Sequence, residues 1–199
     1  MGISTIDINN FLLQSVFGGL NDQYQLSANR AYRDFCRTLR SKDDSTSLQK
    51  ARRLAQGILI SETKRMLDKN IEDQKNFDAW HKKTCQKIKS TYLSMGLLMT
   101  FGQAQKWVNM TLKYLCVFGL PEIGNADTLF HAPIDSYVFD VAERTLQINP
   151  PCKAWSKLDD YALYIAHQNS IREKSQLPPL HWEIRAWNEE ASSKSGRQS

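Results

Sequence analysis

Several features that would assign this sequence of 199 residues to a particular class are missing from it. Its four cysteines, Cys36, Cys85, Cys116 and Cys152, form no CxxC pair and do not stand beside a histidine at metal-ligand spacing. A zinc or iron–sulfur site is therefore not expected, and we predict neither a metal nor a cofactor. The chain has only four histidines and lacks an HExxH motif, a P-loop, a dinucleotide-binding glycine pattern and a Gly-x-Ser-x-Gly elbow.

A long apolar run is also missing. No stretch approaches the roughly 20 apolar residues of a membrane span, and residues 1–19 carry Asp7 and no basic residue, unlike a secretory signal. We expect no membrane partner and free thiols in a reducing compartment, the cytoplasm. The formal net charge of +5 is compatible with a phosphate backbone as partner but does not require one.

Helical periodicity is what the sequence does contain, nearly from end to end. No strand-like alternation is long enough to build a sheet, and glycine or proline interrupts the pattern at intervals. The sequence predicts an all-α fold: a single compact multi-helix domain over residues 1–190, followed by a disordered polar tail, 191–199. Two helical lobes meeting near residue 102 remain an alternative arrangement.

The most apolar predicted helix, residues 103–118, carries a polar stripe. Lys106, Asn109 and Lys113 fall at positions i, i+3 and i+7, on one face. If this face is buried, a lysine there must be paired or neutral, and desolvation would lower its pKa toward the range of a nucleophilic amine. The alternative is that the stripe faces solvent.

A second polar group stands at the start of the next predicted helix. Pro133 stiffens the approach, and Asp135 occupies a helix N-cap position, where backbone N–H groups would hold its carboxylate in the ionised form. His131 precedes this turn and is a candidate ligand contact. The alternatives are plain capping for Asp135 and a structural role for His131.

Residues 96–146 resemble the helix-hairpin-helix DNA glycosylase superfamily, of the endonuclease III and 8-oxoguanine glycosylase type. Residues 102–106 read Gly-Gln-Ala-Gln-Lys, where the family hairpin has Gly-x-Gly-x-Lys. Residues 133–138 read Pro-Ile-Asp-Ser-Tyr-Val, where the family has Pro-Val-Asp, a small residue, an aromatic or His, and an aliphatic. Residues 139–145 match the Phe-x-Val-x-x-Arg-Thr of the endonuclease III branch.

The sequence departs from the family pattern at several points. Ala104 replaces the second hairpin glycine, and Gln103 replaces the usual aliphatic residue between the glycines. The loop from Lys106 to Asp135 is longer than in most branches, and the C-terminal four-cysteine cluster of endonuclease III is absent.

The resemblance implies a DNA glycosylase or abasic-site lyase acting on a modified base. Lys106 would attack C1′ of the damaged nucleoside and form a Schiff base, while Asp135 would stabilise positive charge on the sugar and help Lys106 to lose its proton. The base would first be flipped out of the stack, and backbone N–H groups of the hairpin would bind a DNA phosphate. The residues predicted to contact nucleic acid are Gly102, Gln103, Ala104 and Gln105 in the hairpin, and Asn109, Lys113 and His131 beyond it.

Two other functions fit the same sequence. The same scaffold without catalysis would bind DNA or RNA through the hairpin and basic helices. Alternatively, the chain is a helical protein-interaction module whose likeness to the hairpin fold is a coincidence. Salt dependence of nucleic-acid binding separates the last from the others, because phosphate contacts release counterions.

Overall fold

A computed structural model describes residues 2–39 and 45–195, with only the backbone course for residues 45 and 191–195. All regular structure in these ranges is helical. The α-helices are α1 (Thr5–Phe17), α2 (Gln23–Phe35), α3 (Ser45–Asp68), α4 (Gln74–Leu93), α5 (Phe101–Phe118), α6 (Ser136–Leu146), α7 (Tyr161–Ser175) and α8 (Pro179–Ser195). The predicted all-α class and the single compact helical domain are confirmed.

Short polar caps set most of the helix ends. Ser4 accepts a hydrogen bond from the Asp7 amide at the start of α1, and Gly18 ends that helix in the left-handed conformation, which costs glycine least. Thr100 and Gln103 form a reciprocal capping box at the start of α5. None of the helices within the described ranges has the length and apolar character needed to cross a membrane.

Helix α5 lies at the centre of the fold. Its neighbours are α2 along one side, α4 along another, and a short 3-10 helix, residues 155–157, over its first turn. The fully buried Trp107 packs against Tyr32 and Phe35 of α2, and its Nε1 donates to the Ala28 carbonyl at 2.9 Å. Burying such a side chain contributes about 2–3 kcal/mol or more, so α5 anchors the core.

Two boundaries differ from the sequence prediction. Helix α5 begins at Phe101, so Gly102 lies inside its first turn rather than in a preceding turn, because Thr100 provides the cap. Helix α8 continues through residues 191–195, which the sequence placed in a polar tail; each added residue gains a backbone hydrogen bond. Residues 196–199 of that predicted tail lie outside the described residues.

Candidate functional site at the α5–α6 junction

The two residues predicted to be catalytic are in direct contact. Lys106 Nζ lies 2.7 Å from Asp135 Oδ2 and also donates to the Pro133 carbonyl at 3.1 Å. Asp135 caps α6, and its Oδ1 accepts the Val138 amide at 2.9 Å. The carboxylate is thus fixed by the helix start and directed at the lysine.

This ion pair lies at the border of the protein interior. The side chain of Lys106 is 7% exposed and that of Asp135 is 26% exposed, so solvent reaches the pair from the carboxylate side. The interpretation that the polar stripe of α5 faces solvent is therefore wrong for Lys106. It is also wrong for Asn109, which is fully buried.

Buried amides hold the segment that carries Asp135 against α5. Gln105 donates to the Ile134 carbonyl at 2.8 Å and accepts the Ile134 amide at 3.2 Å. Gln168 of α7 makes the equivalent pair of hydrogen bonds with Ala132, at 2.8 and 3.0 Å. Extended backbone that would otherwise be unsatisfied inside the protein is paired in this way. Gln105, predicted to contact nucleic acid, is fully buried and positions the Asp135 segment instead.

His131 joins a second buried network. Its Nε2 lies 2.9 Å from Asp78 Oδ1, and its Nδ1 lies 2.9 Å from the Tyr164 hydroxyl, which also accepts from Asn109 at 2.9 Å. Burial lowers the pKa of His131 more than Asp78 raises it. In the neutral ring, Nε2–H then donates to Asp78 and Nδ1 accepts from Tyr164.

Opposing effects act on the carboxyl group at the end of this network. Burial by itself would raise the pKa of Asp78, but hydrogen bonds from His131 and Gln74 outweigh it and leave the pKa lowered. Asp78 therefore stays ionised and accepts from a neutral His131. The network joins α4, α5 and α7, which is the structural role left open for His131 in the sequence.

Lys113 forms a separate ion pair. Its Nζ lies 2.6 and 2.8 Å from the two carboxylate oxygens of Glu183 in α8. The Lys113 side chain is 16% exposed and that of Glu183 is 6% exposed, so the pair lies within the interior. Lys113 is thus bound to Glu183 in this structure. The predicted contact of Lys113 with nucleic acid would require this ion pair to open.

The amides at the start of α5 are directed at protein acceptors. The Phe101 amide donates to Asp159 Oδ1 at 2.6 Å, the Gly102 amide to the Leu158 carbonyl at 2.7 Å, and the Gln103 amide to its cap. Lys89 pairs with the same Asp159 carboxylate. A carboxylate of the chain itself thus occupies the anion position that favours phosphate at a helix start.

Packing around the first turn of α5 is also close. A Cβ atom on Gly102 would lie 1.9 Å from the Trp155 carbonyl oxygen, so only glycine fits there. Gln103 is buried and donates to the Thr38 carbonyl at 2.8 Å, and Ala104 is fully buried. In this conformation these residues have packing roles, and a phosphate contact at this turn stays a prediction that requires Asp159 to move away.

Sequence reasoning missed four residues that complete these contacts. They share a large separation along the chain from their partners and an ordinary local context, and they are Asp78, Asp159, Tyr164 and Glu183. Asp159 carries one usable signal, since it and Asp160 form a short acidic pair directly before α7. Nothing in the local pattern distinguishes the other three.

Comparisons with known proteins do not assign the chain to a class. No protein-family model matches it, and neither a curated protein nor a solved structure is significantly similar to it. Within residues 2–39 and 45–195, no group of three His, Cys, Asp or Glu side chains is placed to hold a metal ion.

Proposed function

We propose that this protein is a lysine-dependent DNA glycosylase or abasic-site lyase, with Lys106 as the nucleophile and Asp135 as its proton acceptor. The observation that carries the proposal is the 2.7 Å contact between Lys106 Nζ and Asp135 Oδ2, two residues 29 positions apart. It supports the roles implied by the glycosylase motifs, because those motifs require this lysine and this aspartate to meet.

The chemistry begins with a proton transfer along an existing hydrogen bond. Asp135 takes one proton from the Lys106 ammonium, and the free amine attacks C1′ of the nucleoside. The glycosidic bond breaks, and the base leaves with the bonding electron pair and picks up a proton. The sugar ring then opens, and its O4′ gains a proton as the C1′=Nζ Schiff base forms.

The surroundings of the pair supply a further polar group. The Tyr137 hydroxyl, two residues after Asp135, is buried and has no hydrogen-bond partner among the residues that the structure describes. Burial first, and then the carboxylates of Glu190, Glu183 and Asp135, raise its pKa to about 12. It remains a neutral donor at physiological pH and is a candidate for contact with the flipped nucleoside.

Borohydride trapping tests the nucleophile. Wild-type protein is incubated with duplex and single-stranded DNA carrying an abasic site or an oxidised guanine, and reduction of the Schiff base gives a covalent protein–DNA band. We expect Lys106→Arg to lose the band while keeping a cation beside Asp135, because a guanidinium does not deprotonate. Asp135→Asn should lower the trapping rate roughly 10²-fold or more.

A matched control separates the chemistry from loss of folding. Lys64→Ala removes a lysine of α3 that lies over the Tyr24 ring, far along the chain from the pair, and should keep the band. Far-UV circular dichroism establishes that each variant is folded. A band that survives Lys106→Arg in a folded protein would contradict the proposed nucleophile.

The two alternatives correspond to other outcomes of the same experiment. Binding of DNA or RNA that weakens steeply with salt, without a band on any substrate, would identify a non-catalytic nucleic-acid-binding protein. Absence of both band and binding would favour the helical protein-interaction module.

A further inference from the structure

Helix α1 is attached to the rest of the protein along one narrow side. Its Phe17 ring packs against Tyr114 at 5.2 Å and against Phe118 at 4.4 Å, measured between ring centroids. No side chain of α1 is buried, although the helix is apolar over most of its length. A helix of this composition normally buries its apolar face against other elements.

The face of α1 that points away from the rest of the protein is apolar. Ile8, Leu12 and Val16 recur every four residues on the side opposite Phe17, and they are 47%, 53% and 51% exposed. Phe11 lies beside Ile8 on the same side of the helix and is 69% exposed, whereas the exposed Ile6 lies on another side. Ile8, Phe11, Leu12 and Val16 together leave on the order of a few hundred Å² of apolar surface, a size at which an apolar patch is often a binding site.

The charge of α1 argues against two possible occupants. The helix carries Asp7 as its only charged residue and no Lys or Arg, whereas helices that lie on anionic membranes are rich in basic residues. A strongly charged surface of another protein is likewise a poor partner, because α1 offers no complementary charge. Of the residues outside the described ranges, 40–44 and 196–199 contain no apolar side chain, and Met1 is a single apolar residue four positions before α1.

The spacing of the stripe fits a second α1. Ile8 and Val16 are equally distant from Leu12, so a two-fold axis through Leu12 sets Ile8 of one copy against Val16 of the other. Rows of side chains four residues apart are the ridges that interdigitate in the commonest class of helix packing. The two helices then run antiparallel, and the same surface patch is used on both copies, as in most homodimers.

We propose that the exposed face of α1, centred on Leu12, is the contact surface of a homodimer of this chain. The contact buries Ile8, Leu12 and Val16 of each copy, and the exposed Phe11 widens it. Because it involves neither Lys106 nor Asp135, it stands independently of the proposed enzymatic function.

Sedimentation velocity of the full chain tests this surface across low to high micromolar concentration. A reducing buffer is needed because the free thiol of Cys152 is exposed. We expect a dimer for the wild type and a monomer for Leu12→Glu, since two carboxylates would meet at the axis. Gln14→Glu adds the same charge to an exposed position on another side of α1 and should remain dimeric.

Two results would overturn the proposal. One is a wild-type chain that stays monomeric over the whole concentration range, and the other is a Leu12→Glu dimer as tight as the wild type. Flotation with neutral phosphatidylcholine vesicles distinguishes a lipid occupant: vesicle binding by a monomeric wild type that Leu12→Glu abolishes would assign the face to a membrane surface instead.

Discussion

Helices α5 and α1 reverse the usual relation between polarity and burial. Helix α5 buries Lys106, Asn109 and Gln105 in the middle of the fold, whereas α1 exposes Leu12 and Phe11 to solvent. Most of the polar groups of α5 are tolerated because backbone and side-chain groups of distant segments pair with them. Burial of these groups therefore depends on partners within the chain, whereas the exposed face of α1 is the surface that we propose for a second copy.

The largest expected effect tests the close packing at the start of α5. Gly102→Ala places a Cβ 1.9 Å from the Trp155 carbonyl oxygen, and a backbone atom cannot move away cheaply. We expect the free energy of unfolding to fall by about 3 kcal/mol or more, measured by urea denaturation.

The matched control is another helical glycine. A Cβ on Gly57 in α3 would meet nothing within 4 Å, so Gly57→Ala should raise stability by about 0.5–1 kcal/mol. Equal stability of Gly102→Ala and Gly57→Ala would show that residues 155–158 do not pack closely over the start of α5.

The two ion pairs of α5 should differ in their contribution to stability. Lys113→Met leaves the nearly buried Glu183 without its partner and should cost about 3 kcal/mol, the lower end for a buried pair because Lys113 is partly exposed. Lys106→Met leaves Asp135 partly exposed and still bonded to the Val138 amide, so a cost of about 2 kcal/mol or less is expected.

Thermal or urea unfolding of both variants checks this order. Adding Glu183→Leu to Lys113→Met should recover most of the lost stability, because no unpaired charge then stays inside. An equal loss of stability in Lys113→Met and Lys106→Met would mean that the exposure of the remaining carboxylate does not determine the loss.

Acid should destabilise the core through its histidines. Burial lowers the pKa of His167 to about 4 and also lowers the pKa of His131 and His81. The unfolded chain then binds more protons than the folded one below about pH 6.5, so stability is fully present above that pH and is lost as the pH falls toward 4.

For His167 alone, the loss between pH 7 and pH 5 is about 2 kcal/mol by linkage. His167→Phe keeps the ring contact with Phe139 and should reduce this difference in urea titrations at the two pH values. An unchanged difference would show that His167 titrates normally in the folded protein.

The smallest expected effect concerns the carboxylate at the start of α5. Asp159→Asn weakens the hydrogen bond to the Phe101 amide and the pairing with Lys89, at a cost of about 1 kcal/mol. If this turn also binds phosphate, as the resemblance implies, the variant should bind DNA more tightly and with a steeper salt dependence.

Fluorescence anisotropy with labelled DNA over a salt series measures this effect. Asp68→Asn makes the same change in net charge on α3 and should leave affinity and salt dependence close to the wild type. Equal gains in the two variants would reflect net charge rather than the start of α5.

Local signals predicted the helices and their ends well. The Asp135 cap is predictable from the residues around it, because capping bonds span only three or four positions. The depth of α5 followed from its apolar composition. Helix α5 starts two residues before its predicted first residue, because Thr100 and Gln103 form the capping box and Gly102 fits within the first turn.

The candidate site was only partly predictable. Lys106 and Asp135 were paired through a motif, but Asp159 and Glu183 were not connected to α5. Glu183 lies 70 residues from Lys113, and Asp159 lies 58 residues from Phe101. No periodicity or spacing rule extends over such distances.

The sequence by itself determined the helical class, the caps that begin and end the helices, and the apolar character of both α1 and α5. Only the tertiary structure decided that the lysines of α5 are buried in ion pairs and that the Leu12 face of α1 stays open. The physical reason is range. Backbone hydrogen bonds and caps depend on residues within one helical turn, whereas the cost of burying a charge or exposing an apolar side chain depends on groups that only folding brings together.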